Sequence, residues 1–397
     1  MRSRGSKLII LGQVFAGLTS LVALTVCANY VGAKVFGFCS VLILVLNIAI
    51  TLMDFGACSW ASREYAAHRM SVGTFKNVMW SKTKLNMYIA ILTPLFFLDN
   101  MIEFRFAVIL LVYPVLWNRS NYLQQYLLAR SQVRESVSLV LLDRTSWLLI
   151  IPLSFHNVDE SLAFATPIIV GLILQSLFFK KLLTQNEVNE GEIVYYNQKA
   201  LFGVSKHFGT ISTSGVISNF DGVLVASLSS ISESSSFLLA QRFRNPMTIV
   251  FTSIAMRVRP IAASKDVQSI KSTLKEDSKL MAVSIFSTLG IAVFLLEFSE
   301  YFLGPEFKGS GPVIFFGVVA SIPMGALLLS SSILSAMGAE KFVAKTNSSY
   351  SLIILLGVSV GTFADGSFGA VLSALLVILI HAMIFTLKLG RALEFLK

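Results

Sequence analysis

The sequence predicts an all-α polytopic membrane protein with twelve transmembrane helices in two six-helix bundles, and three observations lead there. Apolar residues make up 55% of the 397-residue chain and charged residues only 14%, against about 45–50% and about 25% in soluble proteins. The chain therefore has too little charge to cover a water-facing surface. Long apolar runs recur along its whole length, and at about 20 residues per crossing they amount to on the order of twelve spans. Lys and Arg, finally, are concentrated in alternate connections, as they are where cytoplasmic loops retain positive charge.

The first run, 8–30, is longer than the roughly 7–15 residues of a secretory signal core and is expected to remain as a helix. The runs 36–57, 85–98, 104–118, 136–155 and 161–179 complete a first bundle, the third and fourth being short enough to extend into their flanks. A polar stretch from Lys180 to Ala200 reads as a linker, which gives domains at 1–180, 181–200 and 201–397. The second bundle follows at 203–229, 234–256, 279–298, 312–334, 346–364 and 369–388. A shift of 209 residues places Pro114 on Pro323 and the fifth and sixth spans on the last two. Six spans per half is an even number, so the halves share orientation, with a cleft expected between two lobes.

The connections on one side, with both termini, hold 25 Lys and Arg, while the other side holds Lys34, Arg105 and Lys308. This split puts both termini in the cytoplasm. Trp60, Trp80 and Trp117 fall at cytoplasmic helix ends, where an aromatic belt is expected. The net charge of +10 is thereby accounted for without nucleic acid. Cys27, Cys39 and Cys58 lack any ligand spacing and read as small buried residues. Gly304 and Gly309 are followed by Ser310, not Lys, which excludes a phosphate-binding loop.

Pro94, Pro114, Pro152, Pro167, Pro246 and Pro323 lie inside spans as kink points. Gly357 and Gly361 have the spacing that lets two helices approach closely.

The charges singled out inside spans are Asp143, Arg144, Lys206, Asp221, Arg242 and Arg244. Together they carry an insertion cost on the order of 15 kcal/mol, which places them away from lipid. At 100° per residue, Lys206, Thr210, Thr213 and Asp221 fall within about 80° of one another. Ser234, Gln241, Asn245, Thr248 and Thr252 form a second stripe flanked by Arg242 and Arg244. Two readings stand: Asp221 with Arg242 or Arg244, and Asp143 with a distant base, form buried ion pairs that lock helices together, Arg242 being the partner expected at similar depth, or these residues line a hydrated passage. In the second, Arg144, Lys206, Arg242 and Arg244, with Asp221, Gln241 and Asn245, receive an anionic head group, Arg giving bidentate contacts. Asp54, Asp143 and Asp221 are the candidates for coupling to an H+ or Na+ gradient; Asp54, at a helix end, better suits a turn at the cytoplasmic interface. His207 beside Lys206 suits either a relay or a satisfied polar neighbour. No cofactor is expected.

The segment Tyr30-Val-Gly-Ala-Lys-Val-Phe-Gly-Phe, then Met53-Asp54-Phe55-Gly56 and Arg63-Glu64, resembles the start of polysaccharide-unit flippases. Asn219-Phe220-Asp221, Leu303-Gly304-Pro305-Glu306-Phe307 and Ser332-Ile333-Leu334-Ser335-Ala336-Met337-Gly338 extend the likeness over nearly the whole chain. It is of the O-antigen type within the multidrug/oligosaccharidyl-lipid/polysaccharide (MOP) exporter superfamily. The resemblance implies a V-shaped inner-membrane carrier that moves an undecaprenyl-pyrophosphate-linked oligosaccharide to the periplasmic leaflet. It also implies a cation-lined cavity at Arg144, Lys206, Arg242 and Arg244, and work alongside a polysaccharide polymerase and chain-length machinery. The Ser-rich stretch Ser229 to Ser236 departs from the pattern. The rival readings are a drug antiporter, whose cavity should be acidic, and an oligosaccharide polymerase or ligase, which needs a large outer loop absent here.

Overall fold

The structure, a computed structural model, describes residues 2–66, 69–92, 110–130, 132–156, 158–184, 193–218, 220–263 and 266–395. Among the described residues the chain is helical throughout and has no strand, as expected where backbone polar groups must be satisfied without water. The helices are α1 (Arg2–Asp54), α2 (Ala57–Ala66), α3 (Val72–Leu92), α4 (Tyr113–Ala129), α5 (Val133–Ser146), α6 (Ile150–Phe155), α7 (Glu160–Thr184) and α8 (Gln198–Ser218). They continue as α9 (Phe220–Leu228), α10 (Ile231–Met247), α11 (Ile249–Ala263), α12 (Val267–Leu303), α13 (Gly311–Val319), α14 (Ser321–Ala336) and α15 (Glu340–Phe395).

Six stretches among the described residues are long and apolar enough to cross a membrane: Phe15–Asp54, Glu135–Phe155, Glu160–Phe178, Val267–Leu303, Gly311–Ala336 and Lys341–Glu394. The 54 residues of the last would be about 80 Å long at 1.5 Å per residue, well over twice the roughly 30 Å hydrocarbon core. Asp365 and Gly366 leave helical geometry there (φ −156° and +51°), and the two arms fold back on each other. α1 is broken in the same way at Gly32 (φ 73°, ψ 165°). The third expected span begins earlier than its apolar run, at Val72, and residues 93–109, with Pro94 and Arg105, lie outside the described residues.

Prolines mark the interruptions. A proline has no N–H and crowds the carbonyl four residues earlier. Pro323 coincides with the end of α13 at Val319, and Pro152 and Pro114 follow the short 3-10 turns Trp147–Leu149 and Leu110–Val112. Pro167, by contrast, sits inside an unbroken α7. At the entry to α12, Asp266 caps the helix: its carboxylate accepts from the Ser269 hydroxyl (2.5 Å) and amide (3.1 Å). The Ser269 hydroxyl bond, with the amide bond second, holds the Asp266 carboxyl below the usual carboxylate range.

The chain divides into two compact units, Leu42–Val216 and Met1–Val41 with Ile217–Lys397. The division does not follow the 180–200 linker, because the first span packs with the second-half helices. The reason is a set of contacts around Gly32. The Ala33 amide donates to Glu306 Oε2 at 2.6 Å, Asn29 Nδ2 donates to the Phe302 carbonyl at 3.1 Å, and Phe36 meets Phe307 edge-on at 6.4 Å. Only glycine fits at position 32, since its φ is left-handed and a Cβ would stand 2.6 Å from Glu306 Oε2.

In the other unit the core gathers Trp60, Phe75, Tyr122, Tyr126 and Leu201. Trp60 is 9% exposed and packs against Tyr196 at 5.4 Å, so it is a core residue, not part of an interfacial belt as expected. The linker's last residues dock on α3: the Val194 amide donates to Thr74 Oγ1 and Gln198 Nε2 to the Ser81 carbonyl.

The Gly357 and Gly361 spacing does bring helices together. A side chain at Gly361 would collide with the Gly369 carbonyl, whereas one at Gly357 would find Val377 Cγ2 at 3.3 Å. Gly361→Val is therefore expected to lower the melting temperature in detergent through an overpacking cost of about 1–3 kcal/mol, and Gly357→Ala to lower it much less; differential scanning fluorimetry reads both.

Candidate functional site

Asp221 lies in the first turn of α9, where the unsatisfied amides of a helix N-terminus favour an anion. It is 3% exposed. Its Oδ1 accepts from the Gly222 amide and its Oδ2 from Gln241 Nε2 of α10, each at 2.7 Å. The cation whose charge reaches it most strongly is Arg244. Gln241 and Arg244 are three residues apart and so share a helix face. Tyr350 of α15, 7% exposed, stands in the field of both Arg244 and Asp221, and His381 meets its ring at 4.6 Å.

The expected Asp221–Arg242 ion pair is not formed. Arg242 is about 200° around the helix from Arg244, and its guanidinium instead lies over the Phe36 ring at 5.4 Å, with Cys27 within reach of its charge. A cation over an aromatic face has a favourable electrostatic partner in the ring. Arg242 is thereby tied to the Gly32 turn, since Phe36 is the ring packed on Phe307.

The remaining sequence candidates belong to the unit Leu42–Val216. Among the described residues Asp143 pairs with its chain neighbour Arg144 at 3.4 Å and not with a distant base. The Arg144 side chain is 45% exposed. Lys206 is exposed on α8, and its carbonyl accepts from Thr210 Oγ1. The side chains of Asn245 and His207 lie outside the described residues.

Asp54 completes a turn. Phe55 and Gly56 have φ of 46° and 71°, and this break between α1 and α2 exposes helix termini of opposite polarity. Asp54 Oδ2 accepts from the Cys58 amide at 3.2 Å and Oδ1 from the Tyr122 hydroxyl at 2.8 Å, while Lys82 Nζ donates to the Met53 carbonyl at 2.9 Å. An anion thus caps an N-terminus and a cation a C-terminus. Lys82 is 3% exposed, although its position suggested a solvated cytoplasmic loop. The early start of α3 puts it mid-helix, and nothing in the apolar pattern signals that.

The structure therefore brings together Asp221, Gln241 and Arg244, and sets Arg242 on a separate aromatic seat. The sequence reading missed Tyr350, Phe36 as a seat, Lys82 and Tyr122. Of these only Phe36 carried a signal, as part of the Tyr30–Phe38 motif.

No family model and no curated protein sequence matches the chain. Solved structures match along its whole length. They include the MATE multidrug transporter DinF-BH, with a TM-score of 0.69 at 14% identity over 99% of this chain and 96% of that one. An inward-facing MATE family transporter of the MOP superfamily gives a TM-score of 0.63 at 12% identity over 98% and 95%. A MOP superfamily transporter from Pyrococcus furiosus, whose pocket of reversed polarity suggests a different function, gives 0.63 at 11% identity over 99% and 96%. The chain has the fold of these transporters.

Lys82→Met removes the charged hydrogen bond to the Met53 carbonyl, and the expected loss is about 1.5–3 kcal/mol, read as a fall in melting temperature; Asp54→Asn, which keeps a capping oxygen, should cost less. Gln241→Leu is expected to cost about 1.5–3 kcal/mol, because Asp221 loses a charge-assisted hydrogen bond, while Asn245→Leu serves as a neighbouring comparison.

Proposed function

We propose that the chain is a transporter, not an enzyme, and that it moves an undecaprenyl-pyrophosphate-linked oligosaccharide of the O-antigen type from the cytoplasmic to the periplasmic leaflet. The observation that supports this reading is the grouping of Arg244 with Gln241 and the buried Asp221. α10 carries two arginines to one glutamate, and the arginine beside Asp221, whose carboxylate Gln241 already hydrogen-bonds, is suited to a phosphorylated head group and unsuited to a cation. Arg244 supplies a bidentate contact, and Gln241 fixes the Asp221 carboxylate whose charge keeps Arg244 in place; Arg242, about 200° around the helix, is a separate cationic contact. The exposed Arg144 and Lys206 are further cationic contacts, and Asn245 is a polar one. Asp54, Asp143 and Asp221 are the ion-coupling candidates, and each is already engaged, Asp54 and Asp221 by capping and hydrogen bonds and Asp143 by the neighbouring Arg144.

The concentration of Lys and Arg in alternate connections supports a bacterial inner-membrane location with both termini in the cytoplasm. Lipid-linked oligosaccharide and membrane lipids are then the direct partners, and a polymerase with its chain-length machinery takes up the product. The second reading, a multidrug antiporter, is favoured by the MATE structures that share the fold. It requires an acidic cavity, and α10 offers the reverse.

In proteoliposomes, purified protein is expected to move a pyrophosphate-linked oligosaccharide between leaflets and to leave a cationic dye untransported. Arg244→Ala and Arg242→Ala should each slow translocation at least about tenfold, the loss of a charged contact being worth about 1.5–3 kcal/mol, with reconstitution yield unchanged. Full activity in both variants, or transport of the dye alone, overturns the proposal.

A further inference from the structure

Within the unit Leu42–Val216, α3 and α4 bury a set of amide groups that the protein itself leaves unsatisfied. Asn86 and Asn118 are each 0% exposed. Among the described residues, Asn86 Oδ1, Asn86 Nδ2 and Asn118 Oδ1 have no hydrogen-bond partner. The two residues are linked through one face of α3. Asn118 Nδ2 donates to Thr83 Oγ1 at 3.1 Å, and Thr83 lies three residues before Asn86 on α3. Thr83 in turn donates to the Met79 carbonyl at 2.8 Å, so its one hydroxyl proton is already used.

We infer that this seam between α3 and α4 is a binding site for an internal water molecule. The vacant groups are two acceptors and one donor, and water offers two donors and accepts in return, so all three are satisfied at once. A buried water characteristically makes about three such bonds to groups that lack protein partners. A metal cation fits less well. It would be met by the Asn86 amide N–H, which cannot coordinate it, and by the ammonium of Lys82, which sits one helical turn from Asn86 on α3 and repels it. The site also has a neighbour that gives it a role. Tyr122, one turn from Asn118 on α4, donates to Asp54, and Lys82 seals the same turn. The water therefore stands about one helical turn from the buried Asp54–Lys82–Tyr122 group. This inference does not depend on the identity of the cargo.

The test is a cryo-EM map of the intact protein in nanodiscs at a resolution that shows ordered water. Density within hydrogen-bonding distance of both Asn86 and Asn118 is the expected result; direct amide-to-amide bonding with no density overturns the inference. Thermal stability supplies a second readout. Asn86→Leu and Asn118→Leu should each lower the melting temperature, and the double variant should lose clearly less than the sum, because the water is expelled only once. Strict additivity counts against a shared ligand. Melting temperatures in sodium and in choline chloride should coincide; a sodium-dependent rise that Asn86→Leu abolishes replaces the water with a cation and overturns the assignment.

Discussion

A charge or a free peptide group inside an apolar helical bundle has no water to fall back on, and this constraint organises the structure at every point where it departs from a simple helix. The break at Phe55 and Gly56 leaves helix ends of both polarities, and Asp54 and Lys82 answer each with the opposite charge. The break at Gly32 leaves the Ala33 amide, which donates to Glu306. Asp221 opens α9 with its carboxylate at the amide end and is held there by Gln241. Each charge in these places serves a helix terminus first and is available for other work only in what remains.

α10 is unusual for what it leaves over. Gln241 satisfies Asp221 by a hydrogen bond, so Arg244 compensates its charge without being consumed by a direct ion pair. Arg242 is turned to the opposite side and rests on Phe36. The seat is itself fixed, since Phe36 packs on Phe307 beside the Glu306 clasp. Two motifs distant in sequence, Tyr30–Phe38 and Leu303–Phe307, are thus parts of one device that sets the direction of a membrane-embedded cation.

Much of the fold was legible from composition and periodicity. The apolar runs within the described residues map onto helices, the prolines at 114, 152 and 323 stand where helices are interrupted, and the Gly357 and Gly361 spacing marks a close helix contact. Less of the site could be read. Helical-wheel geometry placed Gln241 on a polar face and put Arg242 and Arg244 on either side of it. It gave no means of deciding which of them approaches Asp221, because that depends on where α9 packs against α10. Lys82 was invisible as a buried residue, since a lysine in a moderately polar stretch reads as a loop cation until the helix holding it is known to begin at Val72.

The amino-acid sequence by itself determined that the chain crosses a membrane many times as helices, because a chain with so little charge and such long apolar runs has no other stable arrangement in water or lipid. It also determined that a handful of charges must be hidden from lipid, since their insertion cost admits no alternative. Tertiary structure alone decided how those charges are shared. Pairing depends on angles and distances of a few ångströms between helices far apart in sequence, and at that range one residue along a helix turns a side chain by about 100° and exchanges a carboxylate for an aromatic ring.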